Sequence, residues 1–254
     1  MVREVCEERG DESVFAELNL RAGKNMTPLA LTFPNGHHAT AMCVHAQHQL
    51  AEAFSLLGVR LSRPVLVLVG GAAGLEAHRA ALVKNILRLV AETAESLEAA
   101  IIDGGTQSGI IALIGEIHAE WKFNFPLVGV AVEAMVRWPG NANTAARAEL
   151  DPHHPSFLLV PGSKWGDESQ WLSESAHTLA QTLPSLTLLI NGGEISRQDV
   201  KLSVLAKRPV LVVADTGRLA DELAQSSPSS LLHIASAADL NALSSKLQAL
   251  LTRS

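Results

Sequence analysis

Val65-Leu66-Val67-Leu68-Val69-Gly70-Gly71 is the stretch that decides the fold. An unbroken run of Val and Leu suits a strand buried on both faces, and the Gly pair marks where that strand stops. Two further runs end in the same way. Ala99-Ala100-Ile101-Ile102-Asp103 leads into Gly104-Gly105, and Leu186-Thr187-Leu188-Leu189-Ile190-Asn191 leads into Gly192-Gly193. A helical pattern follows each pair. Glycine after a strand permits positive φ and lets backbone N–H groups approach a ligand closely. A tight strand-to-helix turn would explain one such pair. Three of them at one sheet edge point to a shared anion site.

Outward from Val65 the chain alternates. A helix is expected over 76–97, with Leu82, Ile86, Leu89, Thr93 and Leu97 on one face. Strands at 100–102 and 127–130 enclose a helix over 108–119, and an irregular stretch then runs to Pro155. Beyond it come strand 157–160, helix 168–183, strand 186–190, helix 198–206, strand 210–214, helix 218–224 and strand 231–234. Leu240, Leu243, Leu247 and Leu250 stripe a last helix. Upstream, Pro34-Asn35-Gly36 is a hairpin-like turn between strands 29–33 and 40–44, and 47–57 reads as helix. Alternation with continuously apolar strands predicts an α/β fold: an open, doubly wound, Rossmann-like, mostly parallel sheet with helices on both faces. Uneven spacing argues against an eight-fold barrel. Residues 1–27 read as a polar lead-in and 28–254 as a single domain.

The 254 residues are 47% hydrophobic and 18% charged, enough for a sizeable core. A net charge of −6 argues against nucleic acid as a partner, since such binders carry basic faces. A small anion remains compatible, because backbone dipoles hold it locally. Cys6 and Cys43 give no disulfide framework, the start of the chain lacks a signal peptide's apolar stretch, and the apolar run 64–75 is too short to span a membrane. A cytoplasmic protein without membrane contact is expected.

The densest motif is Asp103-Gly104-Gly105-Thr106-Gln107-Ser108-Gly109. Gly104 and Gly105 allow the turn, Thr106 and Ser108 offer hydroxyls, and Ser108 is a natural N-cap. Gly109 in the first helical turn would let a phosphate reach exposed N–H groups. Gly70-Gly71-Ala72-Ala73-Gly74 lacks the spacing of a dinucleotide fingerprint. After Gly192 and Gly193, Glu194 and Asp199 are candidate catalytic carboxylates; Glu194 would also suit ribose hydroxyls, and Asp199 would suit general-base work. Gly162 follows another strand. Thr216, Gly217 and Arg218 follow a further one, with Arg218 placed to clamp a phosphate. Trp165 could stack on a base or cover the core edge, and Glu168 reads as a helix-start acid. His153 and His154, flanked by Pro152 and Pro155, read as solvated loop histidines near the crevice. His45 and His48 are three apart, which suits a metal, yet no carboxylate falls among His37, His38, Cys43, His45 and His48. No metal and no cofactor are expected.

These segments together resemble the SLOG superfamily, named for DNA-processing and Lonely-guy proteins, and within it the stand-alone prokaryotic branch related to the N-terminal cytosolic domain of TRPM channels. The resemblance rests on Val69-Gly70-Gly71-Ala72, on Gly104 to Ile110, and on Phe157-Leu158-Leu159-Val160-Pro161-Gly162. Trp165-Gly166-Asp167-Glu168-Ser169, Ile190 to Glu194 and Thr216-Gly217-Arg218 complete it, so it spans about Ala39 to Ala224. It implies a Rossmann-like fold and a nucleotide-derived ligand such as ADP-ribose, bound by a sensor domain. Lonely-guy enzymes instead hydrolyse the N-glycosidic bond of nucleoside monophosphates with a P-G-G-x-G-T-x-x-E segment. On this chain that segment falls on Asn191 to Asp199, with Asn191, Ile195, Ser196 and Asp199 in place of Pro, the third Gly, Thr and Glu. Family habit allows a homodimer, and a control module would need a separate effector protein.

Overall fold

A computed structural model describes residues 26–71, 77–141, 143–226 and 229–252. Most of the expected lead-in, the Ala72-Ala73-Gly74 part of the first turn and the expected helix start at Glu76 lie outside them. The strands are β1 (Leu29–Thr32), β2 (His38–Cys43), β3 (Val65–Gly70), β4 (Ala100–Asp103), β5 (Leu127–Val132), β6 (Val136–Arg137), β7 (Ala148–Glu149), β8 (Ser156–Val160), β9 (Ser185–Ile190), β10 (Val210–Ala214) and β11 (Leu232–Ser236). The helices are α1 (Leu50–Leu56), α2 (Ala77–Ser96), α3 (Gly109–Glu120), α4 (Ser169–Ala180), α5 (Glu194–Leu205), α6 (Arg218–Ala224) and α7 (Leu240–Leu251).

Among the described residues, nine strands form one sheet in the order β1-β2-β8-β5-β4-β3-β9-β10-β11. Every neighbouring pair is parallel except the β1–β2 hairpin at one edge. From β3 the chain first builds outward through β4 and β5, then returns to the other side of β3 with β9. The strand order therefore reverses between β4 and β9, with β3 at the reversal. Ligands of open α/β sheets lie at such a point, outside the carboxyl ends of the strands.

The continuous apolar strands are buried on both faces because helices cover both. On one face α2, α3 and α7 bury Leu66, Leu68, Ile86, Ile114 and Leu247; on the other α1, α4, α5 and α6 bury Val67, Val69, Phe54, Leu172 and Val200. A third cluster, with Leu31, Phe33, Trp138, Leu150 and Phe157, packs the hairpin against the 136–150 segment. That segment was expected to be irregular. It carries the two-stranded β6–β7 pair, too short to leave a periodic signal. α5 begins four residues earlier than expected, directly on its N-cap Gly193.

Candidate functional site

The reversal point is stitched by backbone geometry. A Cβ on Gly70 would lie 2.1 Å from the Ile190 carbonyl oxygen, so β3 and β9 can finish side by side only with glycine there. Asn191 takes a left-handed φ of 57°. Its backbone N–H donates to Thr216 Oγ1 at 2.8 Å, and its side-chain amide donates to the Gly71 carbonyl at 3.0 Å. The Thr216 hydroxyl in turn donates to the Val213 carbonyl at 2.6 Å. The ends of β3, β9 and β10 are thereby fixed relative to one another. Where the Lonely-guy segment has Pro, Asn191 ties the turn together through its side chain.

Beside this seam lies a crevice of about 400 Å³, lined by Gly70, Gly71, Gly104, Thr106, Ser108, Arg147, Trp165, Glu168, Ile195, Ser196 and Asp199 among others. Its size falls in the range of small-molecule sites. Ser108 is the N-cap of α3, but its side chain makes no capping hydrogen bond, which leaves the hydroxyl for a ligand. Two arginines stand near. Arg147 is exposed, with its backbone N–H held by the Met135 carbonyl at 2.8 Å. The Arg218 guanidinium lies over Gly71 and Gly193: a Cβ on Gly193 would be 2.8 Å from Nη2. Neither arginine has a carboxylate partner among the described residues.

Two carboxylates face the same space. Burial raises the Asp199 carboxyl to about 7; the nearby Ser169 hydroxyl acts against this, and the Glu168 charge adds to it. Asp199 Oδ1 has no hydrogen-bond partner among the described residues. Glu168 is 7% exposed and accepts from the Gly166 N–H at 2.8 Å. Burial raises its pKa as well, against the pull of these backbone hydrogen bonds. A carboxyl raised to about 7, as Asp199 is, can donate as well as accept a proton near neutral pH.

Other expected site residues fall elsewhere. Gly105, with φ 63°, is buried against Gly129 and Phe157; a Cβ on it would be 2.8 Å from the Gly129 Cα, so it serves packing. Gly109 opens α3 with φ 54° but does not line the crevice. Gly162 packs on Asp167 and Val132 beside a different cavity. Gly192 is covered by Ser196, while Thr216 and Gly217 are buried in the seam. The Glu194 side chain is 90% exposed and pairs with Arg197 at 3.5 Å, away from the crevice.

Beneath the Gly104-Gly105 turn is a network that the sequence did not reveal. His154, read as solvated, is 1% exposed. Its Nδ1 donates to Asp151 Oδ2 at 2.8 Å and its Nε2 to both Asp103 oxygens at 3.1 Å. Burial opposes the imidazolium, but the charges and hydrogen bonds of Asp103 and Asp151 outweigh it and push the His154 pKa up to about 10. Asp103 Oδ1 also accepts the Gly105 N–H at 2.8 Å, which shapes the turn above. Helix α3 passes the network at Gly115, where a Cβ would sit 2.2 Å from Asp151 Oδ2. The signal was present only as an Asp ending β4 and a Pro-flanked Asp-Pro-His-His; their pairing across 51 residues was not.

An open, doubly wound sheet with its crevice at the strand-order reversal defines a Rossmann-like protein. The model of the family described as "SLOG in TRPM, prokaryote" matches residues 63–251, and the chain belongs to that family. The match starts after the hairpin and reaches the last helix, later at both ends than the motifs alone suggested. Among solved structures, TM1055, a Northeast Structural Genomics Consortium target, shares the fold with a TM-score of 0.51 at 14% identity; the match covers 73% of this chain and 99% of that one. Two structures of the molybdenum cofactor carrier protein from Chlamydomonas reinhardtii match at a TM-score of 0.49, with 17% and 19% identity, over 74% of this chain and 98% of theirs. No curated protein matches. Among the described residues no helix is long and apolar enough to cross a membrane.

Proposed function

We propose that the crevice binds a nucleotide or nucleotide-derived anion of the ADP-ribose kind, and that the chain acts as a ligand-binding sensor domain. One observation carries this reading: Gly70, Gly71, Gly104, Thr106 and Ser108, from two separate strand ends, line one cavity with Asp199. In this reading phosphate oxygens meet backbone N–H groups and the two hydroxyls, with Arg147 and Arg218 supplying positive charge. Asp199 and Glu168 then face sugar hydroxyls. Thermal-shift and calorimetric titration with AMP, ADP-ribose and NAD tests it. Ligand at a hundredfold its Kd stabilises the fold by about 2.7 kcal/mol. Thr106→Ala and Arg147→Ala each weaken binding about tenfold or more, as expected for hydrogen bonds to a charged group, without changing the unliganded Tm. A folded sample that responds to no anion of the panel sinks the reading.

A second reading, hydrolysis of an N-glycosidic bond in a nucleoside monophosphate, is favoured by the Asp199 carboxyl raised to about 7 and directed at the crevice. Glu168 takes the place of Glu194 as its partner, because Glu194 faces solvent. Free base and ribose 5-phosphate appearing on incubation, and disappearing in Asp199→Asn, would establish it; intact nucleotide after long incubation removes it.

A further inference from the structure

A larger cavity, about 620 Å³, opens on the other side of the Thr106–Ser108 turn. The two cavities share a wall. Thr106 bridges Leu150 in antiparallel fashion, the Gln107 N–H donates to the Glu149 carbonyl at 2.9 Å, and the Asp151 N–H donates to the Gly105 carbonyl at 2.9 Å. Side chains along this wall divide between its faces: Thr106, Ser108 and Arg147 line the crevice, while Gln107, Glu149 and Leu150 line the larger cavity.

The chemistry of the second cavity is unlike that of the crevice. Phe33, Trp138, Pro139 and Pro152 give it flat apolar sides. Its two charges cancel locally, because Arg137 Nε donates to Glu149 Oε1 at 2.7 Å and Nη2 reaches the same oxygen. Three carboxamides reach it. Asn35 Oδ1 already accepts from the His37 N–H at 3.1 Å, and Asn141 Oδ1 from the Asn143 N–H at 2.7 Å. Their NH2 groups, and the whole Gln107 amide, have no partner among the described residues. The groups left over are chiefly donors, set around apolar walls of zero net charge.

We propose that this cavity is a second ligand site, for an uncharged planar heteroaromatic compound carrying carbonyl or ring-nitrogen acceptors. Aromatic and proline walls take the ring faces, and the carboxamide donors take its polar edge. The site does not require the anion crevice to be occupied. Its wall is the crevice's wall, but the side chains on its two faces are different ones.

The test is titration of the uniformly 15N-labelled 254-residue chain with adenine, adenosine, guanosine, uridine and nicotinamide, with indole as an apolar control. Side-chain NH2 resonances of Asn35, Gln107 and Asn141 are read by NMR, and affinity by calorimetry. The expected result is a saturable shift of those resonances by at least one of the heteroaromatics, and at least tenfold weaker binding in the Asn35→Ala, Gln107→Ala double variant. Binding in Thr106→Ala and Arg147→Ala is unchanged. Three results overturn the proposal: no compound shifts the resonances, indole binds as tightly as the best heteroaromatic, or affinity is lost in the crevice variants instead. AMP measured on the same samples separates the two sites. Heteroaromatic binding without AMP binding refutes the anion crevice alone, and the reverse refutes this second site alone.

Discussion

Asp103 and Asp151 enclose a buried imidazolium under the end of β4, whereas Glu168 and Asp199, against the opposite face of the sheet, open on a crevice with no cation bonded to them among the described residues. Both pairs consist of carboxyl groups withdrawn from water. In the first, His154 donates to both carboxyls from its two ring nitrogens, reaching Asp151 through Oδ2 alone, and the network shapes a turn. In the second, burial penalises the charged form, and the Ser169 hydroxyl and the backbone hydrogen bonds to Glu168 offset it only in part. A carboxyl pair that holds a cation between its members fixes structure; a pair that holds none is open to something that arrives.

Removing the central cation is the strongest way to break this contrast. His154→Leu leaves two buried carboxylates facing an uncharged side chain and should cost about 3–5 kcal/mol in urea unfolding. The wild type also gives a pH signature. The folded pKa of His154, about 10, lies above the unfolded value of about 6.5. Its contribution is therefore fully present below about pH 6.5 and fades as pH rises toward 10. A wild-type stability that is flat across that interval would contradict the network.

Gly115→Ala comes next. Alanine in place of glycine inside an exposed helix ordinarily stabilises by about 1 kcal/mol. Here its methyl would press on Asp151 and His154, so a loss of about 1–3 kcal/mol is expected. Thermal unfolding showing a gain would place α3 wrongly against the network.

At the crevice the sign reverses. Asp199→Asn removes a carboxyl that is disfavoured when charged, and should raise stability by about 1 kcal/mol at pH 8 while abolishing any function that needs it. Because the folded pKa lies above the unfolded value of about 4, the wild-type handicap is absent below pH 4 and grows as pH rises through about 7. Chemical denaturation of both proteins at pH 4 and pH 8 measures the difference. Glu194→Gln is the smallest case: with its side chain in solvent, stability and nucleotide affinity should stay within about 0.5 kcal/mol of wild type.

The sheet was legible because its strands are apolar on both faces and its turns are marked by paired glycines, both local features. Gly70, Gly71, Gly104, Thr106 and Ser108 were readable for the same reason. Proximity in sequence misled elsewhere. Glu194 follows a Gly pair but starts a helix with its side chain outward, whereas Glu168, thirty-one residues from Asp199, meets it only because α4 and α5 pack together. Arg147 reaches the crevice from β6–β7 surroundings too short for periodicity. The close approach of Gly105 to Gly129, and the burial of His154, are tertiary facts that no single segment encodes.

The chain has four tryptophans and no tyrosine. Trp165 stands in the crevice wall and Trp138 in the wall of the larger cavity; Trp121 lies exposed under Arg88, and Trp171 packs at the core edge. The protein thus carries a built-in optical reporter for each chamber. With Trp165→Phe and Trp138→Phe, changes in ultraviolet emission can be assigned to one chamber or the other, with no attached dye to disturb either.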